Sequence, residues 1–218
     1  MKRLVIVMFT LLVCTGATAL ATPAIEFSPD SVTGGSCEYD GAGTLSFNQN
    51  ITVDAGMGSN ADPLTGSLVY IPTLVVSGSG SYYDVKPIGS PNIMITSADK
   101  SAVYLMGTLG SGDLQTIGTV AGGYTSFTTD ITGLVITDAG KALGSAALNS
   151  ILYSMTSGLD FELSLNGGSG TNYRTFAEML AGGYAGGNGF SGAMSIPEPA
   201  TIVLLGLGSL TLLRKRRK

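Results

Sequence analysis

Leu159-Asp-Phe-Glu-Leu-Ser-Leu165 puts an apolar side chain at every odd position, with Asp160, Glu162 and Ser164 between them. A period of two is the period of a strand, because successive side chains leave opposite faces of the pleated backbone. The stretch predicts a half-buried strand with one solvated face, the kind used in antiparallel sheets. The same chemistry recurs outward from it. Leu45, Phe47, Ile51 and Val53 share one parity around Asn48-Gln-Asn50 and read as one long strand, or as two around a polar break. Ser67–Val76 is apolar around Pro72, which has no N–H for a ladder and so suggests an edge strand or a bulge. Ile93–Thr96 and Ser101–Leu109 read as strands, and Gly110-Ser-Gly-Asp113 reads as a hairpin turn into Leu114–Val120. Tyr124–Thr129 is a further run rich in Thr and aromatics.

One segment has a different period. Leu143, Ala147, Ile151 and Met155 recur at helical spacing, Ala146, Leu148 and Leu152 widen the stripe, and Asp138 and Gly158 are placed to start and stop a single helix. Its apolar side suits a helix lying against a sheet. The expected body is therefore all-β: a single antiparallel β-sandwich or jelly-roll-like domain with one covering helix, over residues 22–181. Asn172–Leu180 is compatible with a strand followed by a helical turn. Gly182–Ser195 contains six glycines and few large side chains. It reads as a flexible Gly-rich spacer, residues 182–195, because so little side chain offsets the entropy of ordering.

The two ends have compositions of their own. Lys2 and Arg3 precede the apolar run Leu4–Val13, and both Ala17-Thr-Ala19 and Ala19-Leu-Ala21 are small-x-small cleavage sites. Residues 1–21 read as a secretory signal peptide, cut after Ala21 or Ala19. Cys14 in Leu11-Leu-Val-Cys14 is a poor lipidation site, since Val13 stands where a small residue is needed. At the other end, residues 196–218 hold Pro197-Glu198-Pro199, the uncharged run Ala200–Leu213, and the basic cluster Arg214, Lys215, Arg216, Arg217 and Lys218. Fourteen helical residues span roughly 21 Å against a hydrocarbon core of roughly 30 Å, which makes a short membrane helix suited to a temporary anchor. The basic cluster stays cytoplasmic by the positive-inside rule, leaving the tripeptide at the outer face.

A Pro-Glu-Pro tripeptide, an apolar run and a basic cluster in that order resemble the PEP-CTERM sorting domain of bacterial surface and exported proteins. The resemblance covers the tail only. It implies an exosortase-type processing enzyme as partner, a Gram-negative-type bacterium, a transient inner-membrane anchor, and a destination at the cell surface or in an exopolysaccharide matrix. Pro197, Glu198 and Pro199 are the sorting residues it implies.

Removing the ends changes the charge. All fifteen acidic residues lie between Glu26 and Glu198, against four basic ones, Lys86, Lys100, Lys141 and Arg174, so this body carries a formal −11. Such a body is repelled by phosphate backbones and anionic surfaces, and nucleic acid is not an expected partner. Cys37 is the one cysteine beyond the signal segment, so no intramolecular disulfide is available, and it is either free or paired between chains.

The sequence has no histidine. That removes Ser-His-Asp and Cys-His catalysis and His-ligated metals, and a lone cysteine removes thiolate metal sites. A carboxylate pair is the remaining route, with Asp160 and Glu162 as nearest candidates. Their i, i+2 spacing on a strand sets them on one face, whereas a glycosidase holds its carboxylates on opposing walls. Asp54, Asn60 and Asp62 in a Gly-rich loop offer oxygen ligands for calcium, but they are equally the residues of turns. Tyr82-Tyr83, with Tyr70, Tyr104 or Tyr124, is a candidate glycan platform, although adjacent strand residues face opposite sides. We expect no catalytic, cofactor-binding or metal-binding residues. The expected function is a non-enzymatic structural or interaction component associated with exopolysaccharide. A glycan- or calcium-binding module is the alternative, and a carboxylate-dependent hydrolase a more remote one.

Overall fold

The strand read from Leu159–Leu165 is present and lies between the two longest strands of the fold. The structure, a computed structural model, describes residues 23–30, 37–47, 50–89, 92–117, 124–154, 158–167 and 174–197. The expected signal peptide, the apolar run Ala200–Leu213 and the basic cluster lie outside the described residues. Among the described residues thirteen strands run in chain order: β1 Pro23–Pro29, β2 Cys37–Tyr39, β3 Thr44–Phe47, β4 Ile51–Gly56, β5 Leu68–Tyr70, β6 Leu74–Ser79, β7 Tyr82–Pro87, β8 Asn92–Thr96, β9 Val103–Leu109, β10 Gly112–Ile117, β11 Tyr124–Ile136, β12 Leu159–Gly167 and β13 Gly186–Ser195. Among the described residues three short helices accompany them: α1 Asp138–Ala142, α2 Ala146–Ser154 and α3 Phe176–Gly182. The expected all-β class holds, and the strands join in one sheet.

That sheet closes on itself. The circuit β1-β4-β5-β8-β9-β11-β12-β13 returns to β1, and the circuit β11-β10-β7-β6-β3-β2-β13-β12 returns to β11. The shared strands β11, β12 and β13 make this possible because two of them change partners along their length. β11 pairs with β10 through Tyr124–Thr128 and with β9 through Ile131–Ile136. β13 pairs with β2 through Gly186–Asn188 and with β1 through Gly192–Ser195. A bulge between Thr132 and Val135, with Gly133 at φ 61°, bends β11 within its β9-paired stretch. Among the described residues every strand has neighbours on both sides, so no whole strand there is left as an open edge.

Alternation sets the core. Phe161, Leu163 and Leu165 of β12 point inward and are buried, as do Phe127 and Ile131 of β11 and Phe190 and Met194 of β13. Phe27 stacks on Phe161 at 5.8 Å and Phe127 meets Phe161 edge-on at 6.1 Å, which ties β1, β11 and β12 together. Phe47 meets Phe190 at 5.4 Å and Tyr39 meets Phe176 of α3 at 5.6 Å. Burying each such ring is worth about 1.5–3 kcal/mol.

Four sequence expectations change. The single helix from Asp138 is two, because Thr137 rather than Asp138 caps α1 and Gly144 breaks the helix at φ 71°. α2 then restarts on the Ser145 hydroxyl, which accepts from the Leu148 N–H at 3.1 Å. Ser67–Val76 is not one bulged strand. Pro72 lies in a break, with β5 paired to β4 and β8 while β6 pairs with β3 and β7. The expected hairpin across Gly110–Asp113 does not form, because β9 and β10 follow one another along the same edge of β11, opposite β12, with the Gly110 N–H donating to the Asp130 carbonyl between them. Finally, the Gly-rich spacer is not a spacer. Gly186–Ser195 is a central strand and the folded body runs on to Pro197, because the segment's small residues fit under the core rings. A Cβ on Gly192 would run into the Phe27 ring, so glycine there makes room for the Phe27–Phe161 stack. The ambiguous Asn172–Leu180 resolves to α3, started by a Thr175–Glu178 capping box and ended by Gly183 at φ 63°.

Candidate functional site

The junction with the sorting tail is fixed by β13. Its last residue, Ser195, lies opposite Pro23 of β1 on one side and Asp160 of β12 on the other. Ile196 packs against the core and Pro197 is half-buried. The tripeptide therefore begins two residues beyond a paired strand end, beside the first strand of the body. Glu198, Pro199 and the cluster Arg214, Lys215, Arg216, Arg217 and Lys218 lie outside the described residues. Among the described residues no helix is long and apolar enough to cross a membrane.

Close to this end, Asp62 ties the β4–β5 loop to α2. Its carboxylate accepts from the Leu64 N–H at 2.9 Å and from the Ala147 N–H at 3.2 Å, and it is only 8% exposed. Burial works to raise its pKa, but hydrogen bonds from Leu64, Ser145 and Ala147 outweigh burial and hold it below the usual carboxylate value. The residue weighed as a calcium ligand is thus engaged at a helix N-terminus. Asp54 is exposed on β4 and Asn60 on the following loop. Among the described residues no three His, Cys, Asp or Glu side chains are grouped to hold a metal.

The outer face of the shared strands is polar and acidic. Asp160 and Glu162 both point outward from β12. Asp160 lies directly across from Asp130 of β11, and partial burial together with that facing charge pushes its carboxyl above the usual value. Glu162 accepts from Ser126 Oγ at 3.2 Å. Asp84 and Asp113 form a second directly opposed pair, between β7 and β10. These carboxylates stand on one continuous outer surface rather than on facing walls.

The tyrosines divide as strand parity requires: Tyr83 is buried and Tyr82 is 68% exposed. Tyr70 is half-exposed and begins a row that sequence alone did not reveal, Tyr70–Met94–Met106–Val135, aligned by register across β5, β8, β9 and β11. No local signal marks that row, since its members come from four strands. Cys37 is fully buried, with its thiol within 3.5 Å of the Asn188 carbonyl, and burial pushes its pKa up to about 12. It is not placed to pair with another chain.

No match was found among curated proteins or among solved structures. The tail is different: residues 195–218 match the PEP-CTERM protein-sorting motif, which implies an exported chain with a C-terminal membrane anchor, sorted and processed by exosortase.

Proposed function

We propose that this chain is a non-enzymatic structural or interaction protein of the cell surface or exopolysaccharide matrix, freed from a transient membrane anchor by cleavage near Pro197–Pro199. The observation that carries the reading is the sorting motif at 195–218. The closed β body supports it, because a sheet without an open edge strand resists pairing with neighbours at high surface density. Mass spectrometry of the protein from exosortase-positive and exosortase-negative cells tests it. The expected result is loss of Arg214–Lys218 only where the enzyme is present, with the shortened chain in the surface or matrix fraction. An intact terminus in exosortase-positive cells overturns it.

A glycan-binding form of the same role draws support from the exposure of Tyr82 and Tyr70. Co-sedimentation with matrix polysaccharide, lost in Tyr70→Ala or Tyr82→Ala, separates it from an inert scaffold.

A further inference from the structure

The closed end of the body from which the sorting tail leaves carries apolar side chains that the core does not use. α2 spans this end. Its first turn is held by Asp62, whose loop follows Gly56, the partner of Ile25 in the β1–β4 ladder. Its last residue, Ser154, is five positions from Leu159, where β12 begins beside Ile131. The inner side of α2 sinks Ala147, Leu148 and Ile151 into the core. Its other side leaves Leu152 39% and Tyr153 90% exposed, and the helix, Ala-Ala-Leu-Asn-Ser-Ile-Leu-Tyr-Ser, has no charge. In a body with fourteen acidic residues, a bare uncharged helix face with an exposed aromatic is out of keeping with a purely aqueous setting.

Met57 adds an independent sign. It is 39% exposed, its N–H donates to the Ala24 carbonyl beside the start of β1, and it sits at φ 51°. Glycine or asparagine is the usual occupant of that left-handed conformation, and a long apolar side chain bears a cost there. Met57 is thus an exposed methionine in a strained conformation next to the paired ends.

Chain length supplies the occupant. From Ser195, paired with Pro23, to Ala200, where the uncharged run begins, there are five residues, which reach at most about 18 Å when fully extended. An anchored chain therefore holds this end within one short segment of the bilayer surface. We infer that the α2 end of the body, through Tyr153, Leu152 and Met57, rests on the lipid surface while the tail is anchored. Tyrosine belongs at that depth, with its ring among acyl carbons and its hydroxyl at the headgroups, and an uncharged helix face incurs no charge-desolvation penalty there. The inference rests on the anchored-tail reading above.

The chain has no tryptophan, so a single replacement gives an unambiguous reporter. The full chain is reconstituted in phosphatidylcholine vesicles as Tyr153→Trp, with Met57→Trp as a second position and Tyr82→Trp, at the start of β7, as the distant control. The expected result is blue-shifted emission and quenching by brominated lipid for the first two, with quenching by acrylamide retained only in Tyr82→Trp. Flotation of the same vesicles reads the anchor separately. If the chain floats and the indoles of Tyr153→Trp and Met57→Trp remain as open to acrylamide as that of Tyr82→Trp, the docking inference falls and the anchor stands. If the chain does not float, the anchored-tail reading falls and takes this inference with it.

Discussion

Asp62 joins parts of the chain 85 positions apart, and its energetics are those of a buried acceptor rather than of a surface charge. Asp62→Ala leaves the Leu64 and Ala147 N–H groups without their acceptor, and a loss of roughly 1–3 kcal/mol is expected from urea unfolding. Asp62→Asn keeps one acceptor oxygen and loses less. The folded carboxyl lies below its unfolded value of about 3.9, so its stabilisation is present above that pH and disappears as pH falls through the folded value. Melting curves of the native chain and of Asp62→Asn should therefore converge in acid and separate near neutrality; a constant gap would remove the charge from the explanation. Cys37 makes the opposite kind of prediction. With its thiol fully buried and its pKa pushed up to about 12, Cys37 should not react with Ellman's reagent at mildly alkaline pH in the folded mature chain, and should react fully in denaturant. Rapid native labelling, or a disulfide dimer on a non-reducing gel, would contradict that burial.

β13 shows why composition misleads at the scale of one element. Glycine loses more entropy on ordering than any other residue, which is why Gly182–Ser195 reads as loose chain. That cost is offset where the missing side chain creates room for a partner already present. Gly192 lies opposite Phe27 and Leu163, and any Cβ there collides with the Phe27 ring, whereas a Cβ on Gly189 meets nothing within 4 Å. Gly192→Ala is therefore expected to destabilise by about 1–3 kcal/mol through overpacking, and Gly189→Ala to be close to neutral. Equal effects in urea titrations would mean that the two glycines share a role as flexible chain. Amide exchange gives a second reading of the same element: Gly192–Met194 should be among the slowest amides in the body, as befits a stretch paired on both sides.

At the scale of the molecule, closure links the two ends of the body. Pro23 and Ser195 are neighbours in one ladder, and removing Gly182–Gly189 would cut into the strand that both circuits share. That deletion is expected to abolish cooperative unfolding, the reverse of what a spacer would do. The same flush junction bears on processing. Only Ile196 separates the last ladder residue from Pro197, which gives an enzyme's cleft about 7 Å of extended chain to work with. Inserting a short Gly-Ser segment between Ile196 and Pro197 should speed tail removal in exosortase-positive cells without moving the melting temperature of the body. Unchanged processing would show that access is not limited by the fold.

The sequence by itself determined the strand parity at Leu159–Leu165, the all-β class, the separation of Tyr82 from Tyr83, and the address in the tail. Each of these is local: parity follows from the pleat, and the tail is read from order along a few residues. Tertiary structure decided what pairs with what. Ladder hydrogen bonds run between backbones and carry almost no residue identity, so nothing near Gly110–Asp113 reveals that the chain runs straight on from β9 to β10 along one edge of β11 instead of turning back. Nothing within Gly186–Ser195 reveals the rings of Phe27 and Phe161 that give its glycines a reason to be ordered. Nor does the spacing of Asp62 disclose Ala147, because a hydrogen bond across 85 residues exists only once the sheet has closed and brought the loop under the helix.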